Sequence, residues 1–182
     1  NEVLKHAVRT FYYQRVGFRK DSAFAGVPWA DEASHIGPGQ DMNCRSFFDQ
    51  DNPATEKDVS GGWYDAGDYN KYTSWTANYV VELMKAYIEN PKVWADDYNI
   101  PESGNGVPDL LDEIKWGTDH LLRLQLTDGS VLSIVDEWHD SPPSAADGPS
   151  YYGPPNTSAT LNTAAALAIS STVYRKIGWK AY

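Results

Sequence analysis

Apolar side chains recur three or four positions apart in four stretches of the chain, which is the spacing of one face of a helix. The stretches run over residues 2–15, 72–89, 108–125 and 157–176. A glycine or a proline follows each stretch within a few residues, and such residues commonly end helices. The pattern therefore predicts four helices.

The segments between these helices show no sustained period. Residues 18–62 and 136–157 are rich in glycine, proline and asparagine. The first segment also contains four bulky aromatic side chains, which are rare in disordered linkers and favour a packed loop: Phe24, Trp29, Phe47 and Phe48. Residues 131–135 favour a short strand or an extended segment, but the pattern predicts no convincing sheet. The expected fold class is all-α.

Length and charge restrict the classes of protein. With 182 residues the chain is long enough for one domain with a real core, so a single domain over residues 1–182 is expected. The formal net charge of −10 argues against a nucleic-acid partner, because phosphates demand a basic face. No stretch approaches the roughly 20 apolar residues of a membrane helix. Cys44 is the single cysteine, which excludes an intrachain disulfide. The 7 Trp and 12 Tyr favour surfaces that stack on carbohydrate or peptide.

The densest chemistry lies between Gly61 and Tyr72, where Asp65 and Asp68 are three residues apart among aromatic side chains. Paired carboxylates and aromatic rings are what the cleavage of a glycosidic bond requires, since acids transfer protons and rings stack on sugars. Two alternatives stay open on these residues. Asp-x-Gly-Asp is also a common turn, and spaced Asp and Asn oxygens suit calcium.

The run G-G-W-Y-D-A-G-D-Y-N-K-Y over residues 61–72 resembles the N-terminal signature of glycoside hydrolase family 9, the inverting cellulases. Three further blocks resemble the family in the same order: F-Y-Y-Q-R at 11–15, I-P-E-S-G-N-G-V-P-D-L-L-D-E at 100–113, and G-P-P-N-T-S-A-T-L-N-T-A-A-A-L-A at 153–168. The resemblance implies an (α/α)6 barrel, a toroid of helix hairpins, of which only the N-terminal third or so is present.

By this resemblance, Asp68 matches the family's catalytic base, and Asp65 helps to hold the water that the base activates. Two acids so close in sequence can share one water but do not easily lie on opposite faces of a sugar, so the general acid must come from elsewhere. In the family it is a Glu, which is expected beyond residue 182. This fragment alone is expected to be inactive, with the remainder of the catalytic domain in the same or another chain.

Five side chains are expected to contact the substrate: Trp63, Tyr69, Trp138, His139 and Tyr151. Trp63 and Tyr69 flank the two acids, and the other three lie in a loop where the family often places sugar-contacting residues. Packing, or a surface position without a role, is the alternative for each. Asp109, Asp112 and Glu113 also resemble catalytic acids, but the helix dipole favours negative charge in a first turn, so a structural role is expected.

Metal sites follow from the resemblance only in part. Many family members bind zinc through Cys and His at positions that match Val16, Ser34, His35 and Tyr64 here. Only His35 is of a ligand type, whereas zinc takes about four ligands, so zinc is not expected. No cofactor is required. Calcium is left open: a solvated acidic loop is the favoured interpretation of three residues that could bind it, namely Asp49, Asp51 and Asn52.

The expected function is that of an endo-acting, inverting β-1,4-glucanase acting on a β-glucan polysaccharide or oligosaccharide. Two alternatives stay open. One is the same scaffold acting from the chain end, or on xyloglucan, mixed-linkage glucan or glucosamine oligomers. The other is a non-catalytic carbohydrate-binding relative, against which the presence of both Asp65 and Asp68 argues. Family members are generally exported, so a secreted or cell-envelope location is expected, with a leader removed ahead of Asn1.

Overall fold

The computed structural model describes residues 2–179, and the helices dominate this part of the chain. The helices are α1 Glu2–Gln14, the short α2 Ser22–Ala25, α3 Thr73–Glu89, α4 Asp109–Leu124 and α5 Thr157–Tyr174. The strands are β1 Arg45–Ser46, β2 Lys71–Tyr72, β3 Ile134–Asp136 and β4 Tyr151–Tyr152. The four predicted helices correspond to α1, α3, α4 and α5.

The main core lies where α3 packs against α4 and α5, with α1 against α4. It is built from the apolar faces that the periodicity predicts, and its largest fully buried members on α3 and α4 are Met84, Leu110, Leu111, Ile114 and Leu121. The fourth predicted helix, α5, begins at Thr157, the first residue of its predicted stretch, and ends at Tyr174. Its N-cap is Asn156, whose side-chain oxygen accepts a hydrogen bond from the Ala159 N–H.

A small sheet corrects the all-α prediction. Its strand order is β1-β4-β3-β2, with β1 parallel to β4 and the other pairs antiparallel. Each strand has only two or three residues, which is too short for an alternating pattern to be visible in the sequence. The strands come from four distant segments, so tertiary contacts rather than local propensity create the sheet.

The loop over residues 18–62 is packed, but of the four aromatic side chains expected to pack it only Phe24 lies against a buried cluster, that of Tyr12, Ala25 and Ile100. Phe48 is 77% exposed and Trp29 is 69% exposed. A buried charged residue also anchors the loop, because the Lys71 ammonium contacts Asp41 Oδ2 at 2.5 Å and also the carbonyl oxygens of Val59 and Gly61. Hydrogen bonds and an ion pair therefore help to hold this segment in place.

The acids at the start of α4 are structural, as predicted. Asp109 Oδ2 accepts hydrogen bonds from the Tyr98 N–H and the Ser103 hydroxyl, which closes the turn before the helix. The fully buried Glu113 forms an ion pair with Arg15 at 2.9 Å, which joins α4 to the end of α1. These carboxyl groups face packed protein, so they are not available to a substrate.

Candidate active site

The Gly61–Tyr72 motif runs beside α4 before it enters β2 and α3. Gly62 has a φ of 77°, and a Cβ there would lie 2.6 Å from the His120 ring of α4. This close approach directs the next side chain, Trp63, into the core, where it is only 2% exposed. Its ring lies over Gly117, and its Nε1 donates to Glu113 Oε2 at 3.4 Å. Burial contradicts the prediction that Trp63 contacts the substrate, because neither face of its ring is free.

The two aspartates of the motif differ in environment. Asp68 is exposed, whereas Asp65 is half-buried. The Asp65 N–H donates to the carbonyl oxygen of Asn70 at 3.1 Å. Its Oδ1 is buried and has no hydrogen-bond partner among residues 2–179. Burial, and then the charge of Asp68, raises the pKa of Asp65. An unpaired buried carboxylate oxygen beside an exposed carboxylate suits the binding of a polar molecule such as water.

Tyr69 forms the aromatic wall next to these acids. Its ring lies between those of Tyr64 and His139, with centroid distances of 4.6 and 4.9 Å. Its φ is 63°, a left-handed conformation that costs a non-glycine residue about 1–2 kcal/mol. Packing on both sides of the ring offsets that cost. The fold therefore brings together two of the predicted contact residues, Tyr69 and His139; their role toward a sugar stays a prediction.

Trp138 offers a flat surface in the same region. Its side chain is 51% exposed, and one part of the indole lies on Gly148, where a Cβ would be 2.2 Å from the ring. The Trp138 carbonyl oxygen accepts a hydrogen bond from His35 Nε2 at 2.9 Å. The backbone of Trp138 is thus fixed while its ring is open to solvent within the described residues, which suits stacking on a sugar.

Tyr151 lies in β4 directly opposite Asp136 of β3, and both line a surface groove that also includes Asn70. The groove has two aromatic side chains from the 18–62 loop that were not predicted as contacts, Phe47 and Phe48. Burial first, and then the charges of Glu137 and Asp68, raise the pKa of Asp136. Residues 134 and 136 are half-buried, whereas residues 135 and 137 are buried. Alternate residues of a strand share one face, so extending the predicted strand to residue 136 would have placed Asp136 on the same face as Ile134.

Three of the four positions that match the family's zinc ligands, Ser34, His35 and Tyr64, come together as a hydrogen-bonded group. Ser34 Oγ lies 2.5 Å from the Tyr64 hydroxyl, which in turn lies 3.0 Å from His35 Nδ1. Burial raises the pKa of Tyr64 well above its usual value, so the phenol stays protonated. One imidazole and two neutral hydroxyl groups do not fit a zinc ion.

The acidic loop considered for calcium is also bonded internally. The Asn52 amide nitrogen donates to Asp49 Oδ2 at 2.7 Å, and its oxygen accepts from the Ala54 N–H at 2.9 Å. Within residues 2–179 no group of three or more His, Cys, Asp or Glu side chains is placed to hold a metal ion. Calcium binding stays an open alternative.

Within residues 2–179, no helix combines the length and the apolar character needed to cross a membrane.

Two relatives place this geometry in context. The chain is 36% identical to a cellulose 1,4-beta-cellobiosidase of Acetivibrio thermocellus over 93% of its own length and 22% of the relative's. It is 38% identical to a xyloglucan-specific endo-beta-1,4-glucanase of Bacteroides ovatus over 65% of its own length and 20% of the relative's. The chain therefore spans about a fifth of the length of either protein.

A solved structure of a metagenome-derived glycoside hydrolase family 9 endoglucanase has a similar fold. It superposes with a TM-score of 0.85 at 34% identity, over 98% of this chain and 32% of the other. The family model described as Glycosyl hydrolase family 9 matches residues 1–182. The family match, the similar fold and the paired aspartates agree: the chain belongs to glycosyl hydrolase family 9.

Proposed function

We propose that the protein containing these residues hydrolyses β-1,4-glucan within the polysaccharide chain, by a mechanism that inverts the anomeric configuration. Asp68 acts as the general base and removes a proton from the attacking water. Asp65 binds the same water and orients it. The observation that carries this proposal is the pairing of an exposed Asp68 with an Asp65 whose buried Oδ1 has no partner among the described residues.

The surroundings of the two acids support this assignment. A glucan ring needs flat surfaces and polar partners; the exposed Trp138 ring and Tyr151, in the groove that Asn70 borders, offer such surfaces. Tyr151 shares its groove with Asp136, whose carboxyl group suits hydrogen bonding to sugar hydroxyls. The aromatic groove that continues to Phe47 and Phe48 suits a long substrate, which favours action within the chain over action on short oligomers.

The general acid is expected outside these residues. Inverting enzymes hold their two carboxyl groups about 6.5–9.5 Å apart on opposite sides of the scissile bond. Asp65 and Asp136 are both close enough to Asp68 to affect, or be affected by, its charge, and each belongs to the same wall of the site. A Glu from the remainder of the domain would supply the proton to the leaving oxygen from the opposite side.

Replacement of the base tests the proposal in a protein that includes the complete catalytic domain. Asp68→Ala should lower turnover on a soluble β-1,4-glucan by at least about a hundredfold with little change in affinity, because proton removal from water is lost while sugar contacts are retained. Glu82→Ala, on the exposed face of α3, is the control and should keep normal turnover. Near-normal hydrolysis by Asp68→Ala would refute the assignment of the base.

A second candidate is the release of short units from a chain end, which the cellobiosidase name of one relative favours. Cleavage within the chain and release from its end are distinguished by measuring the viscosity of the glucan solution together with the number of reducing ends released. Cleavage within the chain lowers viscosity early, whereas action at chain ends leaves it high. NMR detection of the α-anomer as the first product would support inversion, and an initial β-anomer would contradict it.

A further inference from the structure

We propose that Asn70 is a positioning residue for the base, one that holds the Asp68 carboxylate through its side chain and Asp65 through its backbone. This inference rests on the proposed function of Asp68. Asn70 is the second residue after Asp68, half-buried immediately before β2, and it borders the surface groove that includes Asp136.

The contacts of the Asn70 side chain fix the orientation of its amide. Asn70 Oδ1 accepts a hydrogen bond from the backbone N–H of Glu137 at 3.1 Å. Its Nδ2 donates to Asp68 Oδ2 at 3.2 Å. An N–H group can only donate and a carboxylate can only accept, so the oxygen and nitrogen of the amide cannot exchange places. One hydrogen of the amide therefore points steadily at the carboxylate.

The other end of this connection is rigid. Glu137 follows β3 directly, and its side chain is buried with an ion-pair contact of 3.0 Å to Lys71 and a hydrogen bond of 2.6 Å from the Ser150 hydroxyl. Its backbone N–H is thus an anchor that moves little. Through its two hydrogen bonds, Asn70 connects this anchor to Asp68 and restricts the rotation of an exposed side chain that would otherwise be free in solvent.

The backbone of Asn70 acts on the second acid. Its carbonyl oxygen accepts the Asp65 N–H at 3.1 Å, which closes the loop that contains both aspartates. One residue therefore sets the separation of the two carboxylates that share the water. A base held in one rotamer reacts with a water in one place, and a displacement of about 1 Å costs such a site up to about a hundredfold in rate.

The charges around Asp68 define what a substitution would do. Asp65 lies on the same loop, and Asp136 lies across on β3. The Asn70 amide is a neutral donor among these carboxylates. A third carboxylate in its place would repel Asp68 and favour the protonated form of the base, so activity would require a higher pH.

Asn70→Asp in the protein with the complete catalytic domain is the sharpest test. The new carboxylate has nearly the same shape and can still accept the Glu137 N–H, so the fold should survive. We expect kcat to fall by about ten- to a hundredfold with little change in KM. The acidic limb of the kcat/KM profile should move to higher pH by roughly half a unit to one unit. Asn70→Ala should lower kcat with a smaller displacement of the limb, because it removes a donor to Asp68 but adds no charge.

Asn52 provides a matched control. Its amide makes the same pair of contacts, an oxygen that accepts a backbone N–H and a nitrogen that donates to an aspartate. Asn52→Asp introduces the same charge beside Asp49 and should leave kcat and the pH profile unchanged. Thermal unfolding of all the variants separates catalysis from folding.

The outcomes distinguish this proposal from the one on which it rests. If Asp68→Ala abolishes turnover while folded Asn70→Asp and Asn70→Ala keep normal kcat and pH profiles, the role of Asn70 is refuted and the base assignment stands. If Asp68→Ala is itself active, the base assignment fails first. A loss of kcat in Asn70→Asp equal to that in Asn52→Asp would also overturn the proposal, because the effect would then be one of charge alone.

Discussion

Single glycines decide which aromatic side chains are available at the surface. Gly117 lets Trp63 enter the core, since a Cβ there would lie 2.3 Å from the indole. Gly148 supports Trp138 in a similar way but on the surface, so that half of this side chain stays exposed. In the sequence, Trp63 and Trp138 both lie near charged residues and look alike. The place of the glycine that each ring contacts makes Trp63 a core residue and leaves Trp138 as a candidate surface for stacking on a sugar.

A substitution at Gly148 tests the platform without touching the acids. Gly148→Val should displace the Trp138 ring, because the added side chain would occupy the place of the indole. We expect KM for β-glucan to rise by roughly three- to tenfold with a small change in kcat, as the loss of one stacking contact costs about 1 kcal/mol. Steady-state kinetics of the complete enzyme measure this.

Ala145→Val is the control for Gly148→Val, since Ala145 is exposed in the same loop and the change adds comparable bulk. Equal KM values for the wild type and Gly148→Val would argue that Trp138 does not contact the substrate. Trp138→Ala should reproduce the rise in KM.

The strands of the small sheet are joined by a buried polar network, to which each strand region contributes one residue. Lys71 lies on β2, Glu137 follows β3, Ser150 precedes β4 and Asp41 lies shortly before β1. The Ser150 hydroxyl is 2.6 Å from Glu137 and 3.0 Å from Asp41, but it has only one hydrogen to donate. Burial, and then the charge of Glu137, raises the pKa of Asp41. The Lys71 ammonium, in contact with both Asp41 and Glu137, offsets the negative charge of this network.

Removal of the cation should therefore destabilise the sheet. Lys71→Met leaves Glu137 without its buried partner, so the free energy of unfolding should fall by roughly 3–5 kcal/mol. Lys85→Met is the control, because the Lys85–Glu82 pair is exposed and worth at most about 1 kcal/mol. Urea unfolding of the complete domain measures both. A loss below about 1 kcal/mol for Lys71→Met would mean that the network contributes little.

At the scale of the whole molecule, α5 is apolar on more than one side. Ala159, Ala166 and Val173 are buried within the described residues, whereas Leu161 is 63% exposed beside exposed Ala164. The chain spans about a third of the solved family 9 structure that it resembles. In an (α/α)6 barrel, which we propose for the complete domain, further helices would cover the outer face of α5.

Leu161→Asp tests this coverage. In the complete domain the substitution should lower the free energy of unfolding by roughly 2–4 kcal/mol, because a charge would be buried against apolar neighbours. The same substitution in the 182-residue chain alone should have little effect on stability and should increase solubility. An unchanged melting temperature in the complete domain would indicate that this face of α5 is exposed to solvent there.

The four main helices and the position of the paired acids follow from the amino-acid sequence without a structure. Helical periodicity is a local property, and the Gly61–Tyr72 motif is contiguous, so both are visible without a fold. The signature also identified Asp65, Asp68 and Tyr69 as neighbours. Local patterns also led to three wrong predictions: the absence of a sheet, the packing of Phe48 within the loop and the contact of Trp63 with the sugar.

The contacts between side chains of distant segments become visible only in the folded protein. The strands are two or three residues long, and a buried network beside them joins Lys71, Glu137, Asp41 and Ser150. The role proposed for Asn70 depends on a hydrogen bond to Glu137, 67 positions along the chain. Such contacts have no period and no local signature, since they are fixed by the packing of the helices and by the cost of leaving buried polar groups unpaired.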